Sequence, residues 1–287
     1  MTPGIHDMPH KDYLADPCAA PSLSSSIAAI IVSQSPQHAW FAHPRLNPQY
    51  EPKEAEKFDR GTAAHEMLLG GPNRIVTVEA DDWRTKAARE QRDAIRAEGK
   101  LPLLARHFEG VQKMVEIAKV AINSCEDLQG YSLDAGKAEQ TLIWQMDGIW
   151  CRSRLDWLSN DRKLILDYKS TSGSAEPNAW VKTLMGMEGD MQPAFYLYGN
   201  KATGGPEDAR FVFVVQENEA PFAVSFVGMP PAFVELGFRK MAHAVSLWRG
   251  CITTGQWPAY PNRICWAEPP AWAVAQWEER EIRDFHF

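Results

Sequence analysis

Hydrophobic and polar positions divide the chain into a helical first part, a middle part with strand-like alternation and a helical last part. The apolar run 27–32 follows a group of serines and precedes Pro36, which predicts a short serine-capped helix. The first twenty residues, rich in Pro, His and Asp, are predicted to form an extended arm. Further helices are predicted at 37–43, 54–69, 83–99 and 103–123, with a proline-rich loop at 44–53 and a short strand at 74–78.

Strand-like alternation begins near Gly136. Three runs, at 139–147, 149–158 and 163–170, are joined at Asp147-Gly148 and Asn160-Asp161, dipeptides typical of hairpin turns. They are followed by predicted helices at 178–187 and 191–200, strands at 210–216 and 222–227, a long helix at 231–253 and a tail rich in Trp and Pro. This order predicts an α/β fold with a central mixed sheet flanked by helices and a helical N-terminal part.

We expect one domain over residues 1–287. It would have a mainly helical part at 1–135, a core with the sheet at 136–230, and a C-terminal helix and tail at 231–287. A chain of 287 residues can bury about three quarters of its surface, which is enough for one large core. Its 45% hydrophobic and 23% charged residues are typical of a globular protein.

The charge balance is acidic, with 30 basic and 37 acidic residues and a net charge of -7. This counts against a protein covered in basic charge for nucleic acid, but not against a local basic channel. The five cysteines are scattered and form no CxxC pair, so neither a disulfide framework nor a zinc site is indicated. Without a signal peptide or a long apolar run, we expect a soluble cytoplasmic protein that does not bind membranes.

Two aspartates and a lysine in neighbouring predicted strands are the strongest chemical feature. Asp167 and Lys169 share one strand face, and a hairpin turn at residues 160–161 brings Asp156 close to Asp167. Converging carboxylates repel one another unless a cation lies between them, and oxygen ligands suit Mg²⁺ or Mn²⁺. A lysine beside them can hold or help to deprotonate a water molecule. Taken alone, an Asp-x-Lys strand is more often a solvated face.

Two helices carry further candidates. His65 follows Gly61 by one turn on a predicted helix and could bind a divalent metal, although a single helical histidine is more often a packed or surface residue. Gln192 and Tyr196 share a helix face and could hold a phosphate or brace Lys169. A half-buried amphipathic helix is the alternative interpretation of that pair.

Several residues are candidates for DNA contact. A basic stripe follows the helix at 83–99, and a solvated helix face explains it equally well. Serines at 24–26 could bind a phosphate, although helix capping is the better explanation. The DNA-binding candidates are Ser24, Ser26, Lys86, Arg89, Arg92, Arg96, Arg152 and Arg154. The chain contains no phosphate-loop, dinucleotide-binding or nucleophile-elbow motif.

Four segments in order carry a family resemblance: GTAAHE at 61–66, RLDWL at 154–158, LDYKST at 166–171 and QPAFY at 192–196. The set resembles the RecB-like branch of the PD-(D/E)XK nuclease superfamily, and within it the exodeoxyribonuclease VIII (RecE-type) exonucleases of phages and prophages. The opening GIHDMPHKDYLADP and the ending PAYPNRICWAEPPAWA are similar to that family too. Leu155 replaces the proline of the superfamily's name, as is usual in this branch.

The resemblance implies a restriction-endonuclease-like core and a role for each matching residue. Asp156, Asp167 and His65 would bind the metal, with the carbonyl of Tyr168 beside it, and Lys169 would be the catalytic lysine. Gln192 and Tyr196 match the family's glutamine-tyrosine helix. Glu139 lies where relatives often carry a glutamate, with no role assigned. The cofactor implied is Mg²⁺, for which Mn²⁺ can substitute.

The activity implied is degradation of one strand of linear double-stranded DNA, 5′ to 3′, leaving a 3′ tail for recombination by strand annealing. A ring-shaped homo-oligomer, an annealing protein as partner, and a phage or prophage gene expressed in a bacterial host are implied as well. Two alternatives stay open: an endonuclease or single-strand nuclease of the same superfamily, and a catalytically silent DNA-end-binding recombination factor.

Overall fold

A seven-stranded mixed sheet forms the centre of the protein in a computed structural model that describes residues 1–51, 59–70 and 74–285. The described strands are β1 Gly4–Asp7, β2 Leu23–Ser24, β3 Ile75–Val78, β4 Leu101–Leu104, β5 Gly136–Met146, β6 Ile149–Ser159, β7 Leu164–Thr171, β8 Arg210–Glu217 and β9 Val224–Gly228. The sheet order is β1-β5-β6-β7-β8-β9, with β2 beside β6; β3 and β4 form a separate pair. The pairs β2–β6, β7–β8 and β3–β4 are parallel, and the others are antiparallel. The predicted central mixed sheet is therefore confirmed.

Helices cover both faces of the sheet. The described helices are α1 His10–Leu14, α2 Ser25–Ser33, α3 Pro36–Phe41, α4 Asp59–Leu69, α5 Lys86–Ala97, α6 Ala105–Ser124, α7 Pro177–Gly186, α8 Met191–Ala202, α9 Pro231–Thr254 and α10 Ala271–Asp284. Along β7, Leu164 and Leu166 pack with α4 and α6, while Ile165 packs with α2, α8 and α9. Because neighbouring side chains of a strand point to opposite faces, these helices form two layers with the sheet between them.

The Asp147-Gly148 turn sets the register of the long hairpin β5–β6. Both turn residues have positive φ angles, 50° and 79°, as a two-residue hairpin turn of this kind requires. Met146 pairs with Ile149, and the register continues without a slip to Gly136 opposite Ser159. Ten of the eleven residues of β5 therefore pair with a residue of β6 in one continuous register, and Glu139 is the exception.

Three sequence predictions differ from the structure. Part of the expected N-terminal arm is the edge strand β1, because β5 offers it an unpaired edge from Gln140 to Ile143. Residues 101–104, partly assigned to a helix, pair with β3, since Pro102 suits an edge strand better than a helix interior. The tail contains α10, which sequence reasoning missed.

The start of the helix predicted at 54–69 and the end of the loop predicted at 44–53 lie outside the described residues. The described part of that helix is α4. In the part of the chain that the structure describes, no helix combines the length and the apolar character needed to cross a membrane.

Candidate active site

The two aspartates lie where β6 and β7 separate. The two strands pair only at Trp157 with Leu166 and at Leu158 with Ile165. One position beyond Trp157 and Leu166, Asp156 and Asp167 face each other across the opening. The Asp156 carboxylate accepts a hydrogen bond from the Tyr168 backbone N–H at 2.9 Å. The Asp156 carboxylate thus satisfies the Tyr168 N–H, which has no backbone acceptor on β6 because the two strands have separated there.

Glu139 joins this group from β5. In the hairpin register it lies directly opposite Asp156, since Ala138 pairs with Trp157 and Gln140 with Leu155. Its φ of 57° is left-handed, which is uncommon for a residue with a side chain. Two like charges directly opposite on a sheet repel each other, and Arg154, paired with Glu139, offsets part of this repulsion. The register of the Asp147-Gly148 hairpin is the sequence signal that could have assigned Glu139 to the site.

Helix α4 brings His65 over this end of the sheet. The His65 Nε2 atom lies 3.3 Å from Asp156 Oδ2 and 3.6 Å from Glu139 Oε1. The helix approaches β7 closely at Gly61, where a Cβ atom would lie only 2.1 Å from the Ser170 hydroxyl oxygen. A glycine four residues before His65 therefore lets the helix come near enough for the imidazole to reach the carboxylates.

Asp167 is fully buried and held by two other residues. Gln192 of α8 donates from Nε2 to Asp167 Oδ1 at 2.7 Å and to the Tyr196 hydroxyl oxygen at 3.0 Å. The Lys169 ammonium contacts Asp167 Oδ2. Helix α8 thus braces Asp167 from the opposite layer, through the helix face that Gln192 and Tyr196 share.

The charges in this site strongly perturb one another. Burial and the nearby Asp156 charge raise the pKa of Asp167 to about 7, in spite of the Lys169 contact. Burial would raise the pKa of Asp156, but His65 and Lys169 outweigh it and lower it. Burial would lower the pKa values of His65 and Lys169, yet the surrounding carboxylates raise both. Such opposed shifts in one cluster are typical of functional sites.

The donor atoms here fit a divalent cation. One atom each from His65, Glu139 and Asp156 lie within 4.8 Å of one another. Carboxylate oxygens suit Mg²⁺ and Mn²⁺, and Mn²⁺ accepts imidazole more readily because transition metals favour nitrogen ligands. The group overlaps the predicted ligand set in His65 and Asp156. Asp167, also predicted as a ligand, has one oxygen facing Gln192 and the other facing Lys169.

The expected DNA-contact residues divide into buried and exposed ones. Arg152 is buried, and its guanidinium donates to the Ser22 carbonyl at 3.0 Å, a placement that does not fit the expected lining of a DNA channel. Arg154 is mostly buried and donates to Glu139 and to the Met8 carbonyl. Ser24 is buried and caps α2, as its alternative interpretation proposed, whereas Ser26 is exposed.

The basic stripe lies on α5, which packs against β3 and β4. Three of its cations pair with acidic neighbours: Lys86 with Glu90 at 3.7 Å, Arg92 with Asp93 at 2.9 Å and Lys100 with Glu98 at 2.8 Å. Surface pairs of this kind are weak and can exchange partners. A role of Lys86, Arg89, Arg92 and Arg96 in DNA binding therefore stays a prediction.

A mixed sheet with two acidic residues and a lysine where its central strands separate defines the PD-(D/E)XK class of fold. A family model described as "PDDEXK-like domain of unknown function (DUF3799)" matches residues 32–266, and the chain belongs to this family. No curated protein matches the sequence. The resemblance inferred from the sequence motifs is confirmed at the level of this superfamily.

Solved structures with similarity to this chain include the following two. One, described as a "Putative exonuclease" from Eubacterium rectale, has a TM-score of 0.58 and 11% identity, covering 94% of this chain and 98% of its own. The other, a phage related exonuclease from Haemophilus somnus 129PT, has a TM-score of 0.30 and 15% identity over 68% of this chain and 95% of its own. The first supports the fold; the second is too distant in structure to carry an argument.

Proposed function

We propose that this protein is a metal-dependent exonuclease that hydrolyses phosphodiester bonds in linear double-stranded DNA. The observation that carries the proposal is the cluster of Glu139, Asp156 and Asp167 beside Lys169 and His65. Three carboxylates face two permanent cations, Lys169 and Arg154, which leaves an excess negative charge that a divalent cation would balance with His65 as a neutral ligand. The name of the similar structure from Eubacterium rectale supports the choice of an exonuclease.

His65, Glu139 and Asp156 would hold Mg²⁺ or Mn²⁺, and Asp167 and the Tyr168 carbonyl are further candidates. When bound, such an ion stabilises negative charge that develops on the phosphate and lowers the pKa of a bound water. The protein's own residues hold the water and the phosphate in place. The half-buried ammonium of Lys169, held charged by Asp167, donates to the attacking water or to a phosphate oxygen.

Gln192 and Tyr196 act by holding Asp167 in place. The Gln192 amide has one donor bond to the carboxylate and one to the phenol, which fixes its orientation between them. Because Asp167 lies between Gln192 and Lys169, a shift of α8 would displace the lysine as well. We assign these two residues a positioning role.

The decisive experiment uses linear duplex DNA labelled at the 5′ or the 3′ end, with Mg²⁺, Mn²⁺ or a chelator. We expect metal-dependent release of mononucleotides from wild type and none from Asp167→Ala or Lys169→Ala. Glu219→Gln, on an exposed surface residue that pairs with Arg60, serves as the matched control and should keep full activity. Identical results for wild type and Asp167→Ala would refute the proposal.

The same assay tests the finer expectations. Polarity follows from which label is released first, and we expect 5′ to 3′ degradation that leaves a 3′ tail for an annealing protein. Closed circular DNA should be resistant; its cleavage would favour an endonuclease. Binding without cleavage under any divalent metal would favour a silent DNA-end-binding factor. A ring-shaped homo-oligomer predicts a mass several times 32.3 kDa in light scattering.

A further inference from the structure

The N-terminal segment passes directly beside the candidate metal site. Asp7, the last residue of β1, pairs with Gln140, the residue after Glu139. One residue later, the Met8 carbonyl accepts a hydrogen bond from Arg154 Nη1 at 2.9 Å, and Arg154 also donates to Glu139. His10 follows two residues further on, as the first residue of α1. His10 therefore lies two residues after a backbone carbonyl that Arg154 links to Glu139, a candidate ligand of the metal.

Contacts on both sides hold this segment in position. Before His10, the Met8 side chain is buried against Ile143 and Cys18. After it, the Tyr13 ring lies under the Arg152 guanidinium, with 5.4 Å from its carbon to the ring centroid. Residues 1–31 precede the region that the family model matches, so the family description assigns them no role.

The His10 ring has free hydrogen-bonding capacity in a charged environment. The residue is accessible to solvent although protein atoms partly surround its ring, and no described residue hydrogen-bonds either of its nitrogens. Arg154, Glu139, Arg74 and His65 all act electrostatically on it. Partial burial, followed by repulsion from Arg154, lowers the pKa of His10, which leaves a neutral imidazole with one donor and one acceptor nitrogen.

The surroundings of this ring suit an anion. Arg74, Arg154 and His65 act on the ring against one carboxylate, Glu139, and a divalent cation in the site would add positive charge. The anion that the proposed reaction brings to this place is a DNA phosphate. We propose that His10 donates a hydrogen bond to a phosphate of the DNA strand bound at the metal site. This inference rests on the proposed function and deepens it by naming a substrate contact outside the catalytic motifs.

The test measures DNA binding apart from cleavage. Full-length wild type and variants bind an internally labelled linear duplex in Ca²⁺, followed by fluorescence anisotropy. We expect His10→Ala to raise the Kd about tenfold, as for loss of a hydrogen bond to a charged group, and His10→Gln to restore much of the affinity. His6→Ala is the matched control, because the His6 ring contacts the Thr2 carbonyl in the same segment.

Steady-state cleavage and metal titration complete the experiment. In Mg²⁺, His10→Ala should raise KM and leave kcat within about twofold, since the contact exists before and during the reaction. Equal DNA affinity of wild type and His10→Ala would overturn this inference but not the proposed function. Weaker Mn²⁺ binding by His10→Ala without DNA would also overturn it, because His10 would then support the metal site. A wild type that neither binds nor cleaves DNA would overturn the proposed function itself.

Discussion

Two charged clusters, one buried and one partly exposed, lie four residues apart on β6 and differ in charge balance. The structural cluster is built on Arg152 and contains Asp16, Ser22 and His43; the catalytic cluster is built on Asp156 and contains Glu139, His65, Asp167 and Lys169. In the structural cluster one carboxylate meets an arginine, a histidine and a hydroxyl. In the catalytic cluster three carboxylates share Lys169, Arg154 and the His65 imidazole, so each carboxylate has fewer cationic partners.

The pKa shifts express this difference. Burial would raise the pKa of Asp16, but hydrogen bonds from His43 and Ser22 and the Arg152 charge outweigh it and lower the value to about 2. In the catalytic cluster, burial and Asp156 raise the pKa of Asp167 to about 7. A buried carboxylate stabilises the fold when hydrogen bonds and positive charges outweigh the cost of burying it. When they do not, the carboxylate lowers the stability of the fold and is ready to bind a cation.

The largest expected effect separates activity from stability. Asp167→Asn should lower the rate of DNA cleavage by about 10³-fold, or about 4 kcal/mol, because Lys169 loses its charged partner and the site loses a carboxylate. Without metal, the same variant should unfold at the wild-type temperature or above, since it removes repulsion with Asp156. A nuclease assay and thermal unfolding in chelator measure both. A large drop in Tm would mean that Asp167 is compensated as fully as Asp16.

Asp16→Asn should show the opposite pattern. It leaves the buried Arg152 without its carboxylate, which costs about 3 kcal/mol and lowers Tm by about 5 °C. Activity well below Tm should stay within about twofold of wild type, because Asp16 contacts none of the catalytic residues. Urea unfolding measures the loss of stability, and a DNA-cleavage assay measures activity. A loss of activity without a loss of stability would reverse the roles assigned to the two clusters.

Metal binding should stabilise the protein through the catalytic cluster alone. Mn²⁺ at about 100 times its Kd should add about 2.7 kcal/mol and raise Tm by about 4 °C. Glu139→Gln should lose most of this rise in Tm. Asp16→Asn should show the same rise as wild type, although its Tm without metal is lower. Thermal unfolding with and without Mn²⁺ measures each shift; an unchanged shift in Glu139→Gln would remove Glu139 from the site.

Acid should remove the contribution of Asp16. Since its folded pKa of about 2 lies below the unfolded value of about 3.9, its stabilisation is present above about pH 4 and is lost as pH falls toward 2. The shift corresponds to about 2 kcal/mol. Urea unfolding should show the stability difference between wild type and Asp16→Asn shrinking by this amount over that window. A constant difference would show that the Asp16 pKa is not lowered.

Much of the fold could be predicted because local patterns agree with it. The turn dipeptide Asp147-Gly148 and the alternation around it predicted the hairpin. The serines before the apolar run 27–32 and the proline after it predicted α2. Predictions were wrong where a partner decided the outcome: residues 4–7 became a strand because β5 presented an open edge, and residues 101–104 paired with β3. An edge and its partner are distant along the chain, and no local pattern shows them.

The site follows the same division. By itself, the sequence determined the spacing of Asp156, Asp167 and Lys169 and their placement on neighbouring strands, because strand alternation and a short turn depend on local residues alone. Tertiary structure decided that Arg152 lies inside, that Glu139 stands opposite Asp156, and that Gln192 crosses from another layer to hold Asp167. Burial and charge compensation depend on groups brought together from distant parts of the chain, and they decide which charged residues stabilise the fold and which prepare a reaction.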